Sequence, residues 1–298
     1  MDLTQKLKKK YPNIDWQAIE QESQMLIKYV EEHSPCVFTR FGDGELMAFE
    51  GKRLEWLQQN IENALRNSAI VGFPQHYRHA NVHTENTPNT LTQQWDQELR
   101  SLCSQKNIDL SQKLIVGTWL PIYYPSLLSA LVEGKRVLWI NETASTILKN
   151  LKQKSFRTYY QLNLKQSFGI NIAPMVGYGW QMTSEKESEL KQIYQFILTQ
   201  SQIYDKKIDL IVVGAGVMSK NLCVELSQNL NVNCIDIGSL LSALSGRADR
   251  KVFEPENLMD CLVWYPVIKK LKIRINVNAI RPLKRTIYRT LKAVFNRS

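Results

Sequence analysis

Ile208-Asp-Leu-Ile-Val-Val-Gly-Ala-Gly216, followed by a helical pattern from Met218 to Leu230 and a second apolar run from Val232 to Ile237, decides the fold. The first run is short, rich in β-branched residues and closed by a Gly-x-Gly turn, as where a buried strand passes into a helix. The second run lies where a parallel neighbour returns after one helix. Strand, helix and strand in about 30 residues make a βαβ unit.

Outward from this unit the pattern repeats. Apolar runs bounded by turn signals lie at Cys36 to Phe41, Ala69 to Phe73, Lys113 to Trp119, Arg136 to Ile140 and Phe168 to Ala173, with helical patterns between most of them. Near the start, Asp15 can cap a helix to about His33 whose residues Ile19, Leu26, Tyr29 and Val30 share one face. Alternating strands and helices predict an α/β protein with a Rossmann-like, doubly wound, mostly parallel sheet. Ligands of such sheets lie outside the carboxyl ends of the strands, so the loops after each strand are the places to look.

A chain of 298 residues with 44% hydrophobic content can fill one such domain. No apolar run is long enough to span a bilayer, and no apolar segment follows the basic start Lys6 to Lys10, so a cytoplasmic protein is expected. Five scattered cysteines without a CxxC pair suggest buried thiols rather than disulfides or zinc. The net charge of +10 belongs to the tail: no acid follows Asp260, whereas ten of the 38 basic residues do, leaving 28 against 28 acids in the body. That distribution disfavours nucleic acid as a partner. Nothing before about residue 265 marks a boundary, so residues 1–265 read as one catalytic domain and 266–298 as a basic amphipathic tail. In the tail Ile280, Leu283, Ile287, Leu291 and Val294 recur at helical spacing among Arg281, Lys284, Arg285, Arg289 and Lys292. An anionic membrane surface touched through 280–297 is the expected partner, placing the protein peripherally on the inner face of the plasma membrane.

Two stretches can carry chemistry. Gly42-Asp-Gly-Glu45 follows the first strand, and two carboxylates at i and i+2 on a turning segment can present oxygens to one divalent ion that also meets phosphate. Gly42 and Gly44 let the backbone turn close to a ligand, and Arg40 can contact phosphate. Both carboxylates are expected to be exposed, and an ordinary polar turn is the competing reading. The second stretch is Gly214-x-Gly216 at a helix start, where free N–H groups can take a phosphate, with Asp236 at the end of the next strand where a ribose-binding acid would lie. Ser219 replaces the third fingerprint glycine, so a plain tight turn competes here too. His76, His79 and His83 could ligate a metal, and Trp119, Tyr123 and Tyr124 could stack on a base or sugar, although core packing explains the aromatics better.

Phe38-Thr-Arg-Phe-Gly-Asp-Gly-Glu45 resembles the Arg-Phe/Tyr-Gly-Asp-Gly-Glu signature of the GT-D-type glycosyltransferases, a family first catalogued as a domain of unknown function. Ile211-Val-Val-Gly-Ala-Gly216 with Cys234-Ile-Asp-Ile-Gly238 is similar to that family's second landmark, with Gly-Ala-Gly-Val-Met-Ser219 where Gly-Pro-Thr-Ala is common. The resemblance implies a UDP-sugar donor and a Mn2+ or Mg2+ ion held by Asp43 and Glu45. It also implies transfer of a hexose to a glycan, glycoprotein or lipid-linked acceptor in bacterial surface-glycan synthesis. Donor contacts would fall to Arg40, Gly42, Gly44, Gly214, Gly216 and Asp236. Two other classes stay open: a Rossmann enzyme using NAD or adenosylmethionine, and a non-enzymatic membrane-surface protein.

Overall fold

All seven apolar runs form strands. In this computed structural model, residues 5, 8, 9, 15–42, 45, 55–74, 89–118, 120–123, 125–172, 184–238 and 240–245 are described. Asp43, Gly44, the histidines His76, His79 and His83, Trp119, Tyr124 and the basic tail lie outside the described residues.

The chain order is α1 (Trp16–Glu32), β1 (Val37–Arg40), α2 (Glu55–Asn67), β2 (Ile70–Phe73), α3 (Asn89–Gln105) and β3 (Leu114–Gly117). There follow α4 (Leu120–Tyr123), α5 (Pro125–Val132), β4 (Arg136–Asn141), α6 (Ala144–Leu151), α7 (Lys154–Tyr160) and β5 (Gln166–Asn171). The last described elements are α8 (Ser184–Ser201), β6 (Leu210–Gly214), α9 (Ser219–Leu230), β7 (Asn233–Asp236) and α10 (Leu240–Leu244). Asp15 caps α1 as expected, its carboxylate accepting from the Ala18 N–H at 3.1 Å.

The strands form one parallel sheet in the order β3-β2-β1-β7-β6-β4-β5. Successive side chains point to opposite faces and feed two cores. Phe38, Val137, Trp139, Leu210, Val212 and Ile235 pack with α1, α5, α6, α7 and α10. Val37, Val71, Leu138, Ile140, Ile211 and Val213 pack with α2, α3, α8 and α9. Residues buried on both faces explain why these strands read as continuous apolar runs rather than as alternating ones. Crossovers toward the β3 edge run through the second layer and crossovers toward the β5 edge through the first, as one crossover hand requires. Cys36, Cys103, Cys223 and Cys234 are buried free thiols, as expected. Burial pushes Cys36 up to about 12 and Cys103 up to about 11, so both stay protonated at neutral pH.

Two neighbouring strands position the site. After β1 the chain leaves into the layer of α2, and after β7 into the layer of α10. In sheets of this kind the ligand crevice lies where successive connections part to opposite faces, which here is the carboxyl ends of β1 and β7.

Candidate active site

Arg40 is the last residue of β1 and Asp236 the last of β7, so strand pairing brings both to the crevice floor. Glu45 arrives from the β1 loop and Lys220 from the first turn of α9. Lys220 Nζ lies 2.7 Å from Asp236 Oδ2 and 3.2 Å from Glu45 Oε1, while Arg40 Nη2 stands 3.9 Å from Asp236 Oδ1. The Asp236 side chain is only 1% exposed and that of Lys220 6%. Two cations and two anions cancel, which is the condition for holding four charges away from water.

Backbone groups fix the remaining valences. Gly42 N–H donates to Glu45 Oε2 at 2.7 Å, and Gly238 N–H donates to Asp236 Oδ1 at 3.0 Å. Arg40 Nη1 donates to the Thr118 carbonyl at 2.8 Å, tying β1 to the end of β3. Gly238 holds φ at +51°, and a Cβ there would run into the Arg40 guanidinium. Gly238 must therefore lack a side chain for Arg40 to lie where it does.

Electrostatically the cluster is polarised. Burial pushes the Glu45 carboxyl above its ordinary range, against the pull of the Lys220 ammonium. Burial alone would lower Lys220, but the Asp236 and Glu45 carboxylates outweigh it and hold the ammonium above its ordinary value. Lys220 is a fixed positive charge at neutral pH.

Glu45 corrects one expectation: it is buried, 7% exposed, because its carboxylate turns inward to Lys220 and to the Gly42 amide. The Gly-x-Gly turn is also more closed than a bare phosphate cradle. Ala215 N–H donates to Ser219 Oγ at 2.7 Å, so the serine in place of the third glycine takes up one turn amide. A Cβ on Gly214 would meet Leu241 Cδ1 at 2.7 Å, the Gly238 carbonyl at 3.1 Å and Asn141 Nδ2 at 3.2 Å. Gly214 thus lets the β6 and β7 loops touch. Gly216 lies two residues on, with φ at +54°.

Lys220 is the residue that sequence reading missed. One signal was available: a lysine in the first turn of a helix opposes the macrodipole, so an anion elsewhere must hold it. Asn221, its neighbour, anchors α9 by donating to Tyr194 Oη at 2.7 Å and Glu225 Oε1 at 2.8 Å.

Among the described residues no group of three or more His, Cys, Asp or Glu side chains is placed to hold a metal ion. Glu45 supplies the hard carboxylate oxygens that a divalent cation takes, with the Gly42 N–H at one of them and the competing Lys220 ammonium at the other. Among the described residues no helix is long and apolar enough to cross a membrane.

The sequence profile of the GT-D-like family, a GT-D fold-like domain, matches residues 54–244. That span holds Gly214, Gly216, Lys220 and Asp236 and begins after Arg40 and Glu45. No curated protein matches the chain. It is similar to a solved structure described as "The highly conserved domain of unknown function 1792 has a distinct glycosyltransferase fold", at 16% identity over 85% of each chain and a TM-score of 0.50. A selenomethionine-substituted structure of domain of unknown function 1792 matches with the same identity, coverage and TM-score. At that identity the likeness is one of fold. With its profile match extending over more than half of the residues, the chain belongs to the GT-D-like family.

Proposed function

We propose that this chain is a glycosyltransferase that moves a hexose from a UDP-sugar to a glycan, glycoprotein or lipid-linked acceptor in bacterial surface-glycan synthesis. One observation carries the reading: the buried Arg40, Glu45, Lys220 and Asp236 cluster at the carboxyl ends of β1 and β7, in a chain of this family. Breaking a sugar–phosphate bond builds negative charge on the departing diphosphate, and preorganised cations stabilise that charge without reorganising. Arg40 and Lys220 are such cations. Asp236 holds both in place, and Gly238 leaves room for the guanidinium.

Asp43 and Glu45 would hold Mn2+ or Mg2+, with Gly42 and Gly44 keeping the loop close to the donor and Gly214 and Gly216 shaping the facing turn. Bound there, the ion would act as a Lewis acid toward the leaving UDP. The domain would comprise residues 1–265. The tail 266–298 would hold the cytoplasmic enzyme on the anionic inner face of the plasma membrane through 280–297, near lipid-linked acceptors. Sedimentation with anionic vesicles at low salt, lost on truncation after Pro266, tests that placement.

Thermal melting tests the main reading. UDP with manganese should raise the melting temperature, because a ligand that binds only the folded state stabilises it. Stabilisation by NAD or adenosylmethionine instead, with none from UDP and manganese, would overturn it. Asp43→Ala and Glu45→Ala should each abolish transfer; near-normal turnover in either variant removes that residue from the proposed site.

A further inference from the structure

Gly72 stands inside β2, where glycine weakens a strand and marks a place that another group approaches closely. Its backbone lies outside the left-handed region that Gly134, Gly216 and Gly238 occupy, so conformation alone would accept a side chain. Space would not. A Cβ on Gly72 would meet Thr118 Cα at 3.1 Å, Arg40 Cγ at 3.3 Å and Phe38 Cε2 at 3.4 Å. The two nearest neighbours are the two partners of one hydrogen bond, from Arg40 Nη1 to the Thr118 carbonyl at 2.8 Å.

From that coincidence we infer that Gly72 is a positioning residue for Arg40, its bare backbone being the floor over which the arginine crosses β2. Its bearing on catalysis rests on Arg40 meeting the donor, as proposed above. Arg40 and Gly72 are register partners in the β1–β2 ladder, and β3 lies on the far side of β2. With neighbouring strands about 4.8 Å apart, the side chain has to pass over β2 to bond Thr118. The acceptor is fixed in advance: Thr118 N–H donates to the Phe73 carbonyl at 2.8 Å, and Gly117 N–H donates to Glu22 Oε2 of α1 at 3.1 Å. Arg40 is therefore the partner that gives way when the space over β2 is filled. On its other side Gly238 leaves room for the guanidinium, with Asp236 Oδ1 at 3.9 Å from Nη2. Two glycines thus bound one side chain, and a misplacement of about 1 Å at a contacting group can cost ~100-fold in rate.

The test uses the full chain as wild type, Gly72→Val, Gly72→Ala, Arg40→Ala and the two doubles with Arg40→Ala. UDP binding at saturating Mn2+ is read by calorimetry and stability by urea denaturation. Gly72→Val should weaken UDP about tenfold by displacing a charged contact. Gly72→Ala, whose neighbours need shift only a few tenths of an ångström, should weaken it less. On the Arg40→Ala background neither glycine change should weaken UDP further, and the stability lost to Gly72→Val should shrink because the arginine stem is gone. A glycine that only makes room for β3 would cost the same stability on both backgrounds and leave UDP affinity alone. Wild-type affinity in folded Gly72→Val, or a loss repeated in full on Arg40→Ala, overturns the inference. If Gly72→Val does not fold, Gly72→Ala decides by the same cycle; if neither folds on either background, Gly72 serves the packing of β3 and the inference fails. Should Arg40→Ala bind UDP as wild type does, the donor reading of Arg40 falls, and the stability cycle alone decides whether Gly72 positions its side chain.

Discussion

Arg136 with Asp209 at the amino ends of β4 and β6, and Arg40 with Asp236 at the carboxyl ends of β1 and β7, are the same pair of residue types in opposite surroundings. The first pair is the better made. Arg136 Nη2 donates to Asp209 Oδ1 at 2.6 Å and Nε donates to Oδ2 at 3.0 Å, while the Arg136 backbone N–H donates to Oδ2 at 2.8 Å. These side chains are 31% and 38% exposed. The second pair stands off at 3.9 Å with side chains 11% and 1% exposed. The tight pair has its donors and acceptors largely spent on each other, so it clamps two strand starts and offers little to a ligand. The loose, buried pair keeps charge near a crevice, at a cost in desolvation that a purely structural contact would not need. Quality of geometry and likelihood of function run in opposite directions here.

Removing a carboxylate from each pair breaks or sharpens that contrast most directly. Asp236→Ala leaves Lys220 and Arg40 buried with one anion between them, and losing one partner of a buried pair costs about 3–5 kcal/mol. Urea denaturation should show that loss, and UDP binding should vanish with it. A cost no larger than that of the matching change at Asp209 would mean that burial does not set the worth of these pairs.

Two glycines make the next comparison. Gly238 and Gly134 both hold left-handed backbone, with φ at +51° and +65°. A Cβ on Gly134 meets nothing within 4 Å, whereas one on Gly238 meets the Arg40 guanidinium. Alanine at either position incurs the left-handed backbone penalty, about 1–2 kcal/mol. Gly238→Ala should also displace Arg40 and weaken UDP binding at least severalfold, while Gly134→Ala should leave it unchanged. Equal nucleotide affinity in the two variants would remove Arg40 from the donor site.

Sequence reading reached the sheet more fully than the cluster, and for physical reasons. Strands buried on both faces must be apolar throughout, so Ile211, Val212 and Val213 announce themselves, as does the Asp15 cap on α1. The order of strands was not legible, because nothing local in Arg136 to Asn141 says that β4 lies between β6 and β5. Arg40 and Asp236 were legible as candidates because each ends a strand. The burial of Glu45 was not: Gly-Asp-Gly-Glu reads as a polar turn until the ammonium of Lys220, brought from the far half of the chain, draws the carboxylate inward. Local pattern reports what one segment needs. A charge cluster built from three segments appears only when they are folded together.

The smallest effect belongs to the exposed pair, and its pH dependence has a definite sign. Hydrogen bonding from Arg136 holds the Asp209 carboxyl below its ordinary value of 3.8. A carboxyl whose folded value is depressed favours the folded state when ionised. The contribution is therefore complete well above 3.8 and is lost as pH falls through the lower folded value. Because the Asp209 side chain is more than a third exposed, solvent screening limits the pair to about 1 kcal/mol or less. Asp209→Asn should thus lower stability slightly at pH 7, with the difference from wild type closing below about pH 4. Molar salt should shrink the same difference, since exposed charges are screened within a few ångströms at that strength. Thermal melting of both proteins from pH 7 down to pH 3, in low and high salt, measures it. A difference that instead stayed the same down to pH 3 and in molar salt would show that Asp209 works only as an acceptor for the Arg136 backbone N–H, and the charge pairing at the amino ends of the sheet would then count for nothing.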